Sequence, residues 1–402
     1  MAFIFLFILF LGNEAFSQPA LTAQSAILVE AKRGKILFQK NIHQKMSPAS
    51  ITKIMTAILV LEKGNLDDWV ITSKRAATRE VGESAIWLEE GEEMTLRDLL
   101  YALLIKSAND AAVAAAEHIS GSVEEFVKLM NKKAKDLGAF ETHFSNPHGF
   151  YGKEHYSTAY DLSLIARYAL KNPYFAQIVK TKKEIIPWEG HPWERVLINR
   201  NKLLWRYKWA DGVKTGSTKE AGYCLVASAT RSNFQLVSVV LKSKKVWADS
   251  ISLLNYGFKS YQLKNLISKE EEVKTISLPL GKPRKLRLVS ADRFEVVQRK
   301  DALSSEVERE IKLRKKMKIP IKKEEVMGRL AFKNRGKDLG GVSLIAATDI
   351  ERNWLLTSLI YGTVFVLFVF TLFRTKRRIK MNKPPPLRKY PYRVNITRGR
   401  KS

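Results

Sequence analysis

One run of twenty residues without a charged side chain, WLLTSLIYGTVFVLFVFTLF, occupies positions 354–373. At about 1.5 Å per residue, a helix of this length crosses the roughly 30 Å hydrocarbon core of a bilayer. The basic stretch RTKRRIK follows directly, and positive charges that flank a span stay on the cytoplasmic side. The sequence therefore predicts a transmembrane helix at 354–373 and a basic cytoplasmic tail at 374–402, with the preceding residues outside the inner (cytoplasmic) membrane.

A second apolar run opens the chain at residues 2–11. It is too short to span a bilayer, and Ala15 and Ser17 follow it with the small-x-small spacing of a cleavage site. We interpret residues 1–17 as a secretory signal peptide, although no Lys or Arg precedes the apolar run. Both ends of the chain thus predict that its body lies on the periplasmic or extracellular side.

The formal net charge is +29, and twelve of these positive charges lie in the last 29 residues. The rest are spread over the chain without a recognisable nucleic-acid-binding module, so no nucleic-acid partner is predicted. The charge indicates either a solvated basic surface or general attraction to acidic envelope polymers and lipid headgroups.

Metal, cofactor and disulfide chemistry are not predicted. The single Cys224 excludes an intramolecular disulfide and a four-thiolate zinc site, and the six histidines show no zinc-binding spacing. We expect His148 and His155 to hydrogen-bond the backbone near the start of a helix.

The order of elements predicts an α/β fold. Alternating residues around Gly34 predict a hairpin, helical periods dominate to about residue 175, and two antiparallel strands, YCLVASATRS and FQLVSVVLKS, precede a last helix. This order brings the first and last strands together in a three-layer arrangement, with a helical cluster beside an antiparallel sheet. Short alternating runs with Gly and Pro between them predict a small all-β domain at 263–350.

Three polar clusters interrupt these elements, and the first is Ser50 with Lys53 in MSPASITKIMTA. If residues 51–61 form a helix, the two side chains lie one turn apart on one face and can touch. A lysine amine that desolvation and a nearby cation keep neutral can remove the serine proton and so activate a nucleophile. A capping serine beside a lysine that reaches solvent explains the pair equally well.

The second cluster is Ser107 and Asn109 in LLIKSANDAA, where polar residues interrupt an apolar helical pattern. A serine here can relay a proton, and the asparagine can orient a lysine or a substrate amide. The alternative is a corner between two helices, in which Asn109 and Asp110 act only as caps.

The third cluster is Lys214-Thr215-Gly216, at the head of a strand pattern. Lysine and threonine offer a cation and a hydroxyl to a carboxylate, and Gly216 leaves room for a substrate backbone along the strand edge. An ordinary turn that enters a strand is the alternative.

In this order the clusters form the set serine-x-x-lysine, serine-x-asparagine and lysine-threonine-glycine, which occurs in penicillin-binding proteins and class A β-lactamases. The chain resembles the D-alanyl-D-alanine carboxypeptidases, which are low-molecular-mass penicillin-binding proteins of the serine type. The stretches NPHGFYGKEHYSTAYDL and SLLNYGF agree as well. The resemblance is strong over residues 24–258 and weaker over the β-rich region.

The resemblance implies a penicillin-binding/β-lactamase-like transpeptidase fold at 18–262, in a chain attached to the bacterial inner membrane. It implies an enzyme that removes the terminal D-alanine from peptidoglycan stem pentapeptides through an acyl-enzyme, and that binds β-lactam antibiotics covalently. Its partners would be those peptides, the antibiotics and the lipid bilayer.

The resemblance also implies residue roles. Ser50 is the nucleophile, Lys53 its base and Ser107 a proton relay, which are the implied catalytic residues. The implied substrate-binding residues are Asn109, Lys214, Thr215, Gly216 and Ser217. The backbone N–H groups of Ser50 and Ser217 would form the oxyanion hole.

Two departures and two alternatives remain at this point. Val246 and Trp247 stand where the family pattern has an arginine, and a membrane span replaces the more common surface-lying anchor. A β-lactamase shares the three clusters but needs a carboxylate base, and Glu141 precedes Asn146 by five residues where that pattern has four. A catalytically silent wall-associated protein of the same fold is the other alternative.

Overall fold

The computed structural model describes residues 18–78, 80–150, 152, 154–301 and 307–381. The predicted signal peptide and the tail beyond residue 381 lie outside the described residues. The chain divides into two compact units, Met1–Lys264 with Val296–Ser304 and Asn265–Glu295 with Ser305–Ser402.

The first unit contains both helices and strands. The strands are β1 (Ser25–Glu30), β2 (Ile36–Lys40), β3 (Trp69–Ile71), β4 (Glu93–Thr95), β5 (Lys183–Ile186), β6 (Arg195–Ile198), β7 (Ala210–Thr218), β8 (Gly222–Arg231) and β9 (Phe234–Ser243). The helices are α1 (Lys53–Lys63), α2 (Lys74–Ala77), α3 (Leu96–Tyr101), α4 (Asn109–Ser120), α5 (Val123–Asp136), α6 (Ala159–Ala169), α7 (Pro173–Lys180), α8 (Leu203–Arg206) and α9 (Val246–Ser260).

An antiparallel sheet of five strands, in the order β2-β1-β9-β8-β7, forms the centre of this unit. The first strand pairs with the last, Ala26 opposite Val240, as the sequence predicts. Strand β7 is at the edge.

Two hydrophobic cores cover the two faces of the sheet. Successive side chains of a strand point to opposite faces. Accordingly, Ile27 and Val29 pack with the residues of α1, α3, α4 and α6, whereas Leu28 packs with the residues of α9. The predicted three-layer α/β arrangement is confirmed.

Side-chain caps set the start of several helices. Ser122 accepts a hydrogen bond from Glu125 N–H at the start of α5, and Thr158 accepts one from Asp161 N–H at the start of α6. Such caps satisfy donors that the first helical turn leaves unpaired. Ser122 and Glu125 have the serine-x-x-glutamate spacing of a capping box, so this boundary is readable from sequence.

The second unit is rich in β-structure, in agreement with the predicted all-β character. Its strands are β11 (Glu272–Ser277), β12 (Gly281–Lys282), β13 (Lys285–Ser290), β15 (Glu308–Leu313), β16 (Val326–Asn334), β17 (Lys337–Ala346) and β18 (Glu351–Arg352), whereas β10 (Tyr261–Ile267) and β14 (Phe294–Arg299) pair with each other and have most of their residues in the first unit. Five of these strands form a sheet in the order β11-β13-β17-β16-β15. Leu286 and Leu288 of β13 pack with Met327 and Ala346 in its core.

Replacing Leu288 by alanine is expected to lower the free energy of unfolding of the second unit by about 2–5 kcal/mol. Leu288 is fully buried, and a truncated core leucine loses its packing contacts and leaves a cavity. Calorimetry of the full chain would measure the shift. Leu280→Ala is the matched control because Leu280 is 40% exposed; equal shifts for both variants would contradict the prediction.

A helix, α10 (Trp354–Met381), ends the described part of the second unit. It begins at the first residue of the uncharged run and is long and apolar enough to cross a membrane. The hydroxyls of Thr363 and Thr371 donate to carbonyl oxygens one turn earlier, at Leu359 and Leu367. Such bonds satisfy polar side chains without water, as a lipid environment requires.

Candidate active site

Ser50 lies in a tight turn at the edge of the polar cluster that the sequence predicts to be the site. Residues Ala49–Thr52 form a single 3-10 turn, and α1 begins only at Lys53, two residues later than predicted. Ala49 has a φ of +47°, in the left-handed region, and its carbonyl accepts a 2.8 Å hydrogen bond from the Thr52 hydroxyl. Thr52, not Ser50, is the N-cap residue of α1, so Ser50 is not held there as a helix cap.

Lys53 is fully buried and its amine does not reach solvent. Its Nζ lies 3.2 Å from Ser50 Oγ, 2.6 Å from Asn109 Oδ1 and 2.9 Å from the carbonyl oxygen of His148. Two of these three atoms are oxygens that can only accept. A neutral amine therefore gives its two hydrogens to Asn109 and His148 and directs its lone pair at the Ser50 hydroxyl.

The pKa of Lys53 is lowered to about 7, mainly because burial penalises the charged amine. The positive charge of Arg200 acts in the same direction, whereas Glu83 and Asp110 oppose it. The sequence expectation of a second cation is thus met partly by Arg200. This residue follows β6 and carries no motif in the sequence.

Asn109 and Ser107 lie at the junction between a π-helical turn and α4. The turn spans Ala102–Lys106, and Ser107 follows it with a φ of +69°. Asn109 begins α4 and accepts the hydrogen bond from Lys53, so its side chain orients the lysine and is more than a cap. The Ser107 side chain is buried, and its hydroxyl makes no hydrogen bond to another described residue.

Asp110 fixes the backbone of residues 86–88 beside this cluster. Its buried carboxylate accepts hydrogen bonds from the backbone N–H groups of Ile86, Trp87 and Leu88 at 3.0, 2.9 and 3.2 Å. Burial raises its pKa, and these N–H groups oppose the rise. The signal in the sequence is an acidic residue at the start of an otherwise apolar helix.

Strand β7 brings Lys214 against the Ser50 turn. A Cβ at Gly216 would lie 2.8 Å from the Pro48 carbonyl oxygen and 3.2 Å from Ile51 N, so only glycine permits this approach. Lys214 is buried, its Nζ donates to the Thr215 carbonyl at 3.1 Å, and burial lowers its pKa well below the usual value. The charges of Lys53 and Arg200 lower it further.

The neighbouring residues of β7 are more accessible. Thr215 is half-buried and Ser217 is exposed. Because β7 is an edge strand, these residues stand where an extended peptide can add to the sheet.

A loop that sequence reasoning did not assign to the site closes it from another side. Asn146 Oδ1 accepts hydrogen bonds from His148 N–H and Gly149 N–H at 3.2 and 2.6 Å. Gly149 has a φ of +80°, and a Cβ there would overlap the Ala49 carbonyl. This loop delivers the His148 carbonyl to Lys53, and its sequence, SNPHG, lies within a stretch already quoted for the family resemblance.

His148 and His155 lie in this region as uncharged imidazoles. Burial lowers the pKa of His148 to about 3 and that of His155 to about 4. His155 Nε2 lies 2.7 Å from the Thr52 hydroxyl, and its Nδ1 accepts from Ser145 N–H at 3.0 Å. His148 Nδ1 accepts from Phe150 N–H at 3.1 Å, so both rings bond backbone groups as expected, but only the His155 ring contacts the start of α1, and it does so through the Thr52 side chain.

The carboxylate that the β-lactamase alternative requires is engaged elsewhere. Glu141 Oε2 lies 2.6 Å from Nδ1 of the exposed His43. Across the described ranges, no carboxylate forms a hydrogen bond or ion pair with Lys53. The same part of the chain contains no group of three side chains that could hold a metal.

The departure at the start of the last helix is visible in the structure. Helix α9 begins at Val246, which is buried in the second hydrophobic core. An apolar side chain thus occupies the position where the family pattern has arginine.

Comparison with known families agrees with this geometry. Residues 13–245 match the family described as D-alanyl-D-alanine carboxypeptidase. Residues 261–352 match the C-terminal domain of penicillin-binding protein 5. The two matched regions together cover most of the chain.

Individual relatives agree over the same length. The chain is 38% identical over 351 residues to the D-alanyl-D-alanine carboxypeptidase DacF of Bacillus subtilis, covering 85% of this chain and 90% of that protein. It is 32% identical over 369 residues to DacC of Escherichia coli, covering 87% and 90%.

Solved structures extend the comparison to the fold. Penicillin-binding protein 5 of Haemophilus influenzae superimposes with a TM-score of 0.68 at 31% identity, over 84% of this chain and 99% of that one. PBP3 of Streptococcus pneumoniae gives 0.71 at 26% identity, over 83% and 100%. With a matched family, relatives over most of its length and a serine–lysine centre, the chain belongs to the D-alanyl-D-alanine carboxypeptidase family and is a serine-type carboxypeptidase.

Proposed function

We propose that the chain removes the terminal D-alanine from peptidoglycan stem pentapeptides by way of an acyl-enzyme at Ser50. The observation that carries the proposal is the environment of Lys53, whose buried amine lies within hydrogen-bond distance of Ser50 Oγ, Asn109 Oδ1 and the His148 carbonyl oxygen. Lys53 takes the hydroxyl proton while Oγ attacks the carbonyl carbon between the two terminal D-alanines.

The tetrahedral intermediate formed by this attack collapses to an acyl-enzyme, which is then hydrolysed. The C–N bond breaks, the departing D-alanine nitrogen takes a proton, and the rest of the peptide remains as an ester on Ser50. Water then gives a proton to Lys53 and attacks this ester, the bond between the acyl carbon and Oγ breaks, and Oγ takes the proton from Lys53, which releases the shortened peptide as a carboxylic acid and regenerates the enzyme. Ser107, at the turn before Asn109, is assigned the relay between Lys53 and the leaving nitrogen.

Substrate binding is assigned to β7 and to α4. We propose that the peptide adds to the free edge of β7, where Lys214 and Thr215 bind its terminal carboxylate. Asn109 holds a substrate amide, and Gly216 permits the approach of strand and turn. The N–H groups of Ser50 and Ser217 stabilise the oxyanion, a contribution of about 3 kcal/mol per donor in comparable sites.

Slow release of a β-lactam adduct is expected, because Glu141 is paired with His43 and no carboxylate of the described residues bonds to Lys53. Labelled penicillin should modify the protein once, at Ser50, and nitrocefin should not be turned over rapidly. Mass spectrometry of the treated protein maps the adduct. Rapid nitrocefin turnover would establish a β-lactamase, and an adduct at another residue would overturn the assigned nucleophile.

Acylation is expected to speed up with rising pH through about 7 and then to level off. Lys53 is a base only when neutral, and its pKa is about 7, so the reactive fraction falls about tenfold per pH unit below that value. His148 and His155 are neutral over this range and add no further step. Rates of penicillin labelling between about pH 5 and 9 test this; a flat profile would contradict it.

We further propose that α10 anchors the protein in the bacterial inner membrane with the catalytic domain, residues 18–262, on the periplasmic or extracellular side. The uncharged length of α10 and the basic residues after it support this orientation. Protease added to intact spheroplasts should degrade the catalytic domain and spare the tail; the reverse would overturn the orientation.

A further inference from the structure

A groove outside the catalytic cluster is lined by tryptophans. It has a volume of about 420 Å³ and lies between the β3–β4 pair and the loop 187–194, which joins β5 to β6. Trp69 and Trp193 are 63% and 59% exposed there. Exposed tryptophans on two separate elements are costly to leave in water and indicate a surface that binds.

Carboxylates predominate among the polar side chains of the groove, which also include Thr95 and His191. Glu93, Glu189 and Glu194 line it, and none of them has a hydrogen-bond or ion-pair partner among the described residues. None of its lining residues is a lysine or an arginine, although the chain carries a net charge of +29. The groove therefore offers aromatic faces and hydrogen-bond acceptors, and it disfavours anionic ligands such as lipid phosphates.

Stacking and ion-pair contacts fix the position of the loop 187–194. The guanidinium of Arg195 stacks on the Trp188 ring at 4.4 Å, and the ring centres of Trp188 and His191 are 4.3 Å apart. Arg195 is buried and forms an ion pair with Glu92, with a 2.9 Å bond from Nη2 to Oε2. A rigid platform loses little conformational entropy on binding.

Arg195 also connects the groove to residues 86–88, whose N–H groups donate to Asp110. Its Nε donates to the Ile86 carbonyl at 2.8 Å, and Ile86 N–H donates to Asp110. Asp110 follows Asn109, which accepts the hydrogen bond from Lys53. Arg195, the segment 86–88 and Asp110 therefore tie the loop 187–194 to the start of α4, where Asn109 contacts Lys53.

We propose that this groove binds the glycan chain to which the stem peptide is attached, an inference that rests on the proposed function. An uncharged chain of N-acetylated amino sugars presents apolar C–H faces that stack on tryptophan, and hydroxyl and amide N–H donors that suit unpaired carboxylates. The enzyme then recognises glycan-linked peptides over free peptides, and the selectivity resides in Trp69, Trp193 and the acids.

The test uses the full chain in detergent and a peptide-free oligomer of N-acetylglucosamine as the probe. Calorimetric titration should show binding, and the double variant Trp69→Ala, Trp193→Ala should weaken it at least about tenfold. Phe140→Ala is the matched control, since Phe140 is 77% exposed and does not line the groove. For the double variant, kcat/KM should fall with glycan-linked pentapeptide and stay unchanged with free pentapeptide.

Two results would overturn the inference. One is oligosaccharide affinity that the double variant leaves unchanged, or no binding at all. The other is binding of a lysine-rich peptide but not of the sugar, which would assign the groove to a cationic peptide. Penicillin labelling of the same samples keeps the failures apart: normal labelling places the failure in the groove, whereas unlabelled wild-type protein contradicts the proposed function itself.

Discussion

Replacing Ser50 by alanine is expected to reduce carboxypeptidase activity at least about 10⁴-fold and to abolish covalent penicillin binding. Ser50 Oγ is the hydroxyl that lies 3.2 Å from the Lys53 amine. Without it, neither a peptide nor a β-lactam can form the ester, although the carboxylate-binding residues remain. Release of D-alanine and gel detection of a fluorescent penicillin measure the two losses.

The matched control is Ser232→Ala, because Ser232 is exposed in the turn between β8 and β9. Both variants should melt at similar temperatures, since Ser50 is not a helix cap. If the Ser50 variant retained penicillin labelling, the nucleophile would lie elsewhere. If both variants lost activity together, misfolding would explain the result and the mechanism would lose its support.

Replacing Lys53 by methionine is expected to slow acylation about 10²–10⁴-fold, the usual contribution of a positioned general base. Methionine fills a similar buried volume but cannot accept the Ser50 proton or donate to Asn109 and His148. The remaining activity should also lose its rise near pH 7, because the group that titrates there is gone. Pre-steady-state labelling with penicillin over a range of pH values measures both effects.

Lys74→Met is the control for this change, since Lys74 is exposed in α2. The pH profile separates a base from a residue that only positions Ser50. A slower variant that kept the same rise near pH 7 would show that another group removes the proton, and Lys53 would then be a positioning residue.

The contact between Ser50 and Lys53 was accessible from sequence because it is local. Residues three apart meet on one face of a helix or a tight turn, so the pair did not depend on the rest of the fold. The start of α1 was less accessible, since the left-handed backbone at Ala49 depends on the β7 strand and the Gly149 loop that pack against it.

The full set of Lys53 partners could not be derived from local pattern, although the second cluster already predicts that Asn109 can orient a lysine. Asn109 lies 56 residues along the chain and His148 lies 95, and the latter contributes a carbonyl that every residue type possesses. Arg200, which lowers the pKa of both buried lysines, has no motif. The acidic aromatic groove has no signature in the sequence because its tryptophans come from segments more than one hundred residues apart.

The sequence by itself determined the uncharged helix at 354–373, the α/β class and the three polar clusters, because uncharged length, hydrophobic period and short spacing are properties of neighbouring residues. Only the tertiary structure decided which atoms surround the Lys53 amine and how far its pKa falls. Those quantities depend on exclusion of water and on distances between remote segments. Burial of a cation is a property of the whole fold, whereas helix periodicity is not.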